Sequence, residues 1–267
     1  MMQMLSPDLL DRRAIALIEL VDFAGRPVDP SAQLQGEGLK FFSKGNGRFV
    51  LLEAPDFAEY SASFLTRPSA PAVSSKTASI DIISGDPSFL SRRAELKLPR
   101  NAEPTARTDP ASLFQPVRLT LLPATNAPIP ASAAALRVIV THKTNRKLVG
   151  NALVRVRSAN GKFSAAGMTD LSGEALLLIP YFPISFTTGA ANVEDSLAAT
   201  ATVVADPAQI ELTEPADLAV KKMARGGAPL LADPDKIGAA FPTPANGTAL
   251  RLSARRVATL AMEWTPP

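Results

Sequence analysis

LRVIVTHKTNRKLVGNALVRVRSANGKFSAAGMTDLSGEALLLIPYF, residues 136–182, sets short apolar runs between tight-turn residues. Leu136–Thr141, Ala152–Arg157, Phe163–Met168 and Ala175–Ile179 are each too short for an ordinary helix and rich in aliphatic side chains, so they read as strands. Asn160-Gly161 suits the left-handed turn of a hairpin between the second and third of these runs. Asp170 is placed to accept backbone N–H bonds inside its own turn, and Gly173 takes a positive φ at little cost. The turns of this stretch specify a shape, and no catalytic constellation accompanies them.

The N-terminal part echoes the pattern. Ala14–Val21 is an apolar run closed by Asp22 and Gly25-Arg26-Pro27, and Leu39–Ser43 and Arg48–Glu53 flank Gly45-Asn46-Gly47. Aligning Gly47 with Gly173 lays Arg48–Leu52 over Glu174–Leu178, with Pro55 and Phe57 matching Pro180 and Phe182; upstream, Ile15–Val28 falls loosely over Leu136–Val149. Tyr60–Leu65, Thr77–Ser84 and Ala94–Leu98 complete about six expected strands before residue 99. A chain of 267 residues is long enough for two domains, each with its own core.

The expected organisation is therefore an N-terminal β-sandwich over 1–98, a Pro-rich linker over 99–116 and a C-terminal sandwich over 117–267. Pro99–Pro116 reads as extended, and Val117–Leu122 as the strand that opens the second domain. Ala124–Ala135 reads as an Ala/Pro-rich crossing loop; it and the linker are candidate arms along a neighbouring subunit. Later strands are expected at Ala199–Val204, Ile210–Leu212, Ala249–Leu252 and Val257–Trp264. One short helix is expected at Glu214–Met223, with Pro215 in its first turn and Gly226 past its end. Residues 229–244 read as a long loop.

Gly150-Asn151-Ala152-Leu153-Val154 followed by Thr169-Asp170-Leu171-Ser172-Gly173-Glu174-Ala175-Leu176 resembles the carboxypeptidase-regulatory-like, transthyretin-like β-sandwich domain. The resemblance implies an all-β fold of two immunoglobulin- or transthyretin-like sandwiches in tandem. It departs from the family pattern at Arg146-Lys147-Leu148, where Gly-Xaa-Pro is the rule; the first half keeps Gly25-Arg26-Pro27-Val28 but lacks the Thr-Asp pair. The run Val117–Pro123 with Pro128 and Pro130 also resembles β-sandwich proteins encoded beside phage-tail-like contractile systems.

Composition narrows the chemistry. With no Cys there is no disulfide, thiolate metal site or catalytic thiol. The single His142, at a strand end, has no second His or Cys for a metal and no nucleophile elbow beside it. Glu194-Asp195 and Asp233-Pro234-Asp235 lack the spacing of an EF-hand and read as solvated loop acids. Lys221–Gly227 lacks the Gly-Lys-Ser/Thr ending of a phosphate loop and reads as a basic helix end. The basic pairs Arg12-Arg13, Arg92-Arg93, Lys221-Lys222 and Arg255-Arg256 are scattered through a chain of net charge +3, which speaks against nucleic acid and for surface charge.

No apolar run reaches the ~18 residues of a membrane span, and the N-terminus has Asp8 and Asp11 ahead of its first apolar run instead of a signal peptide's basic start. Cytoplasmic synthesis without a signal peptide is expected, with the mature site in a phage or phage-tail-like particle. The expectation is a non-enzymatic structural subunit, with no catalytic, metal or cofactor residues, no small-molecule substrate, and as partners other protein subunits or further copies of the chain. The assembly expected is a phage tail or phage-tail-like contractile injection particle. The alternative, a carbohydrate- or receptor-binding module, requires aromatic platforms, for which only Tyr60, Tyr181 and Trp264 stand beyond Phe.

Overall fold

The computed structural model describes residues 14–58, 60, 74–101, 103–180, 185–186, 193–194, 196–241 and 247–266. The chain is all-β, two sandwiches in tandem with short helical segments. In the first sandwich one sheet has the order β3-β4-β1-β7, built from β1 (Ala16–Val21), β3 (Lys40–Gly45), β4 (Arg48–Glu53) and β7 (Val117–Thr120). Facing it is β2-β5-β6, from β2 (Gln33–Gln35), β5 (Lys76–Ile83) and β6 (Arg92–Leu98). Alternate side chains of the two sheets, among them Ile18, Leu20, Leu51, Ile80, Ile82 and Leu96, close a common core, as period-two strands require.

The second sandwich sets β11-β10-β15-β17 against a sheet centred on β8. The first comprises β10 (Leu153–Ser158), β11 (Ser164–Met168), β15 (Ser196–Val204) and β17 (Thr248–Ser253). The second comprises β8 (Ala134–His142), β9 (Leu148–Gly150), β12 (Glu174–Ile179), β16 (Glu211–Thr213) and β18 (Val257–Trp264). Leu136, Val138, Val154, Leu177 and Leu252 lie in its core. The two-residue strands β13 (Ser185–Phe186) and β14 (Val193–Glu194) pair with each other.

The echo between the halves is a shared topology. β1 and β8 are the central strands: each pairs antiparallel with the strand after the aligned glycine, β4 or β12, and parallel with the last strand of its sandwich, β7 or β18. Glu19 stands opposite Arg48 as Ile139 stands opposite Glu174. Gly47 O accepts from Leu20 N–H at 2.9 Å, and Gly173 O from Val140 N–H at 2.8 Å. This register places Ala16, not Ile15, over Leu136. The one-residue difference matters because it exchanges the faces of a strand.

Several expectations are corrected. Val117–Thr120 does not open the second sandwich; it completes the first, parallel to β1, and Leu119 and Leu121 lie in the first core. Residues 99–116 do not form an extended linker. Asn101 N–H donates to Ala111 O and Leu113 N–H to Asn101 O, the Asn101 and Asp109 side chains cap turns, and Ser112 is buried, so the segment closes on itself. Nor is Ala124–Ala135 a free arm, since Ala127 packs with Leu176 and Leu178 on the outside of its own sheet.

The expected helix is a 3-10 turn at Pro215–Asp217 running into a helix at Leu218–Ala224. A second helix, Pro234–Ala240, occupies the expected long loop: Asp233 caps it, accepting from Asp235 and Lys236 N–H, with Pro234 in the first turn. Of the strand expected at Tyr60–Leu65, all but Tyr60 lies outside the described residues.

Candidate functional site

The feature that local sequence does not explain is the junction between the sandwiches. The chain crosses at Leu121–Ala124 and pairs there with the β5–β6 loop: Leu90 N–H donates to Leu122 O and Ala124 N–H to Ser88 O, both at 2.9 Å. The Pro234–Ala240 helix packs between β10 and β6. Ile237 joins Leu122, Leu153, Met168 and Ala232 in a small core of its own. Gly238 lets the helix lie against the Arg155 guanidinium, which a Cβ would displace.

Arg92 is the polar centre of this junction. The sequence reads Arg92-Arg93 as surface charge; in the structure Arg92 is 3% exposed. Its Nε donates to Arg93 O (3.1 Å), Nη1 to Thr120 O (2.8 Å), and Nη2 to Asp233 Oδ1 (3.1 Å) and Asp235 Oδ2 (2.6 Å). The rigid guanidinium fork thus satisfies backbone of the first sandwich and carboxylates of the second at once. Asp233 therefore ends one helix's orphan N–H groups and neutralises a buried cation together. Beside it, Arg93 N–H donates to Ala232 O (2.9 Å) and Lys236 Nζ to Glu95 Oε1 (2.5 Å). The bond to Glu95 raises the Lys236 pKa, and the bond to Asp81 raises that of Arg93.

A cavity of about 210 Å³ opens next to the junction, floored by Leu90, Leu122, Met168 and Leu230. Its polar side chains are committed to the fold. Asp170 Oδ1 accepts from Ser172 N–H and Oγ–H and from Glu174 N–H, as the turn in the sequence predicts, and Thr125 Oγ1 reaches Oδ2 at 3.3 Å. Asn151, held at a positive φ, donates to Gln209 O, and Thr169 Oγ1 accepts from Ala152 N–H. Lys222 at the rim is exposed.

The remaining candidates separate across the fold. His142 is half-buried, with Nδ1 accepting from Thr144 N–H at 3.2 Å and its ring edge-on to Trp264 at 5.7 Å, so it ends a strand and orders a turn. Both Asp233 and Asp235 are ion-paired to Arg92, but only Asp233 is buried, the Asp235 carboxylate staying largely solvated as expected; the Glu194 side chain and Asp195 lie outside the described residues, as do Arg12-Arg13 and Tyr181. Lys221 bonds Glu211 and Leu212 O, while Arg225 bonds Ala228 O and Pro229 O, closing the helix end. Tyr60 is 1% and Trp264 4% exposed, so neither forms a sugar platform. Among the described residues no group of His, Asp and Glu gathers as metal ligands, and no helix is long and apolar enough to cross a membrane.

No family model and no curated protein matches the sequence. Solved structures similar to it include the Bacillus anthracis TIE protein, at 8% identity over 95% of this chain and 34% of that one, TM-score 0.25. A streptococcal ancillary pilin is similar at 10% identity over 85% and 49%, TM-score 0.25, and the major pilin subunit of Bacillus cereus at 9% over 95% and 60%, TM-score 0.25. The chain spans less than two thirds of the length of each.

Proposed function

We propose that this chain is a non-enzymatic structural subunit of a larger protein assembly, acting through protein–protein contacts. The observation that carries the reading is the junction. Arg92, Asp233, Asp235, Lys236 and Glu95 are all committed to fixing two sandwiches in one arrangement, and the nearby cavity's polar groups are committed to turns. A tandem held this way presents loops and strand edges at set positions, which is what a repeating assembly needs from a subunit.

The sequence resemblances support a narrower reading, a phage tail or phage-tail-like contractile injection particle, with the chain made in the cytoplasm and incorporated there. Affinity capture with in-cell crosslinking from the producing host tests both levels. Recovery of other subunits in fixed proportion within a high-mass fraction is expected, and tail or sheath components identify the particle. A monomer with no co-purifying subunit overturns the reading.

A further inference from the structure

Glu19 belongs to the outer face of a sheet, yet it is only 2% exposed. Ala16, Ile18 and Leu20 of β1 enter the first core, so Leu17 and Glu19 turn outward. Glu19 stands directly opposite Arg48 of β4 on one side and Arg118 of β7 on the other. Arg48 Nε donates to Glu19 Oε1 at 2.9 Å, and Arg118 Nε to Oε2 at 3.1 Å. The carboxylate lies beneath two arginines whose side chains are 55% and 67% exposed.

Each guanidinium is fixed through one nitrogen and keeps both Nη groups without a partner among the described residues. Other surface arginines meet their acids differently. Arg26 on Asp22 and Arg93 on Asp81 each spend Nε and Nη2 together on one carboxylate and close a neutral pair. Among the described residues Glu19 is the one acid held by two arginines, and the trio carries a net charge of +1. Gly45, the β3 residue opposite Arg48, brings no side chain over the row, and a Cβ there would meet open space. One row along, Leu17, Val50 and Phe42 lie side by side across β1, β4 and β3, with Phe42 56% exposed.

We infer that this face receives an extended acidic segment of another protein subunit. Its carboxylate takes the outward Nη groups of Arg48 and Arg118, and an apolar side chain two positions away rests on Phe42. The two rows are two residues apart along β1, or ~6.6 Å, the spacing at which residues i and i+2 of an extended segment share a face. Charge complementarity selects the anion: the trio has one uncancelled positive charge, and a carboxylate matches the edge of a guanidinium in shape. Holding the arginines on Glu19 beforehand reduces the side-chain ordering that binding costs. A nucleic-acid backbone is the poorer fit, because it needs a track of cations and the basic residues of this chain are scattered.

The inference rests on the reading of the chain as an assembly subunit, and NMR titration of the isotope-labelled full chain tests it separately. The probe is the capped peptide Ser-Glu-Ser-Leu-Ser, followed through the Nε–H signals of Arg48 and Arg118 and the amide of Phe42. Saturable shifts at all three are expected, with a Kd on the order of 1 mM. Replacing the peptide's Glu with Gln is expected to weaken binding about tenfold. Arg48→Lys with Arg118→Lys keeps every charge but leaves each ammonium on Glu19 without a second donor edge, and is also expected to weaken binding about tenfold. Phe42→Ser is expected to weaken it about threefold while the arginine signals still shift. Should the double variant fail to fold, the Gln peptide and Phe42→Ser decide the matter. No shift at the arginines, equal binding of the Gln peptide, or undiminished binding by a folded Lys variant or by Phe42→Ser overturns the surface. Tighter binding of inorganic phosphate or oligothymidylate than of the peptide overturns it too, in favour of a phosphate site. A chain that fails these tests yet enters a defined assembly overturns this surface alone and leaves the proposed function standing.

Discussion

Replacing Arg92 with Ala removes four hydrogen bonds from the interior of the junction and leaves the Asp233 carboxylate, 5% exposed, without its cation. The contribution of Asp235 is small because its carboxylate is 76% exposed, and exposed pairs are worth about 0–1 kcal/mol. Asp233 and the two carbonyls dominate. Breaking a buried pair by removing one partner costs about 3–5 kcal/mol. Asp233 keeps its two cap bonds from Asp235 and Lys236 N–H, which sets the expectation near 3. Urea unfolding followed by far-UV circular dichroism and by fluorescence of Trp264, the single tryptophan, reads the loss. Arg92→Met with Asp233→Asn removes both charges and is expected to cost less than Arg92→Met alone. A loss below about 1 kcal/mol for Arg92→Ala, or a double variant worse than the sum of its singles, refutes the account of the junction as a buried charge lock.

The remaining expectations concern the turns and the exposed side of the junction. Gly47→Ala places a Cβ onto the Val28 carbonyl oxygen at φ +68°, whereas Gly25→Ala at φ +74° meets open space. Thermal melting should show a loss of about 3 kcal/mol or more for the first and about 1–2 for the second; equal losses would show that backbone strain alone matters. Lys236 has its pKa held above the ordinary 10.5 by Glu95, so the folded state binds that proton more tightly than the unfolded one. The stabilisation is complete below 10.5 and fades as pH rises through the folded value. Lys236→Met is therefore expected to melt slightly lower than wild type at pH 7, with the gap closing as pH rises above 10.5; a gap unchanged with pH contradicts it. Leu136→Ala, at a fully buried site on the central strand of the second core, should cost about 2–5 kcal/mol by denaturant titration, and a loss under 1 would mean that the site collapses freely.

Local chemistry carried a large part of the fold. The β3–β4 hairpin has Gly45, Asn46 and Gly47 all at positive φ, and the Asp170 turn accepts the backbone bonds its residue types announce. The Pro234–Ala240 helix was also within reach, since Asp233-Pro234 is a cap followed by a first-turn proline, but seven residues give too little periodicity to outweigh the surrounding prolines. The candidate site was not legible in the same way: nothing around Arg92 distinguishes it from the solvated Arg93, and its carboxylate partner stands 141 residues away.

The sequence alone determined that this chain forms short strands, where its tight turns fall, and that the two halves share a pattern, because alternation and positive-φ turns act over a few residues. Only the tertiary structure decided that Val117–Thr120 lies beside β1, that residues 99–116 close on themselves, and that Arg92 is buried. An alternating strand is satisfied by any apolar sheet with a free edge, so its partner is chosen by chain geometry and by the packing of the whole. A charge is likewise read as buried only once the carboxylate that neutralises it has been brought alongside.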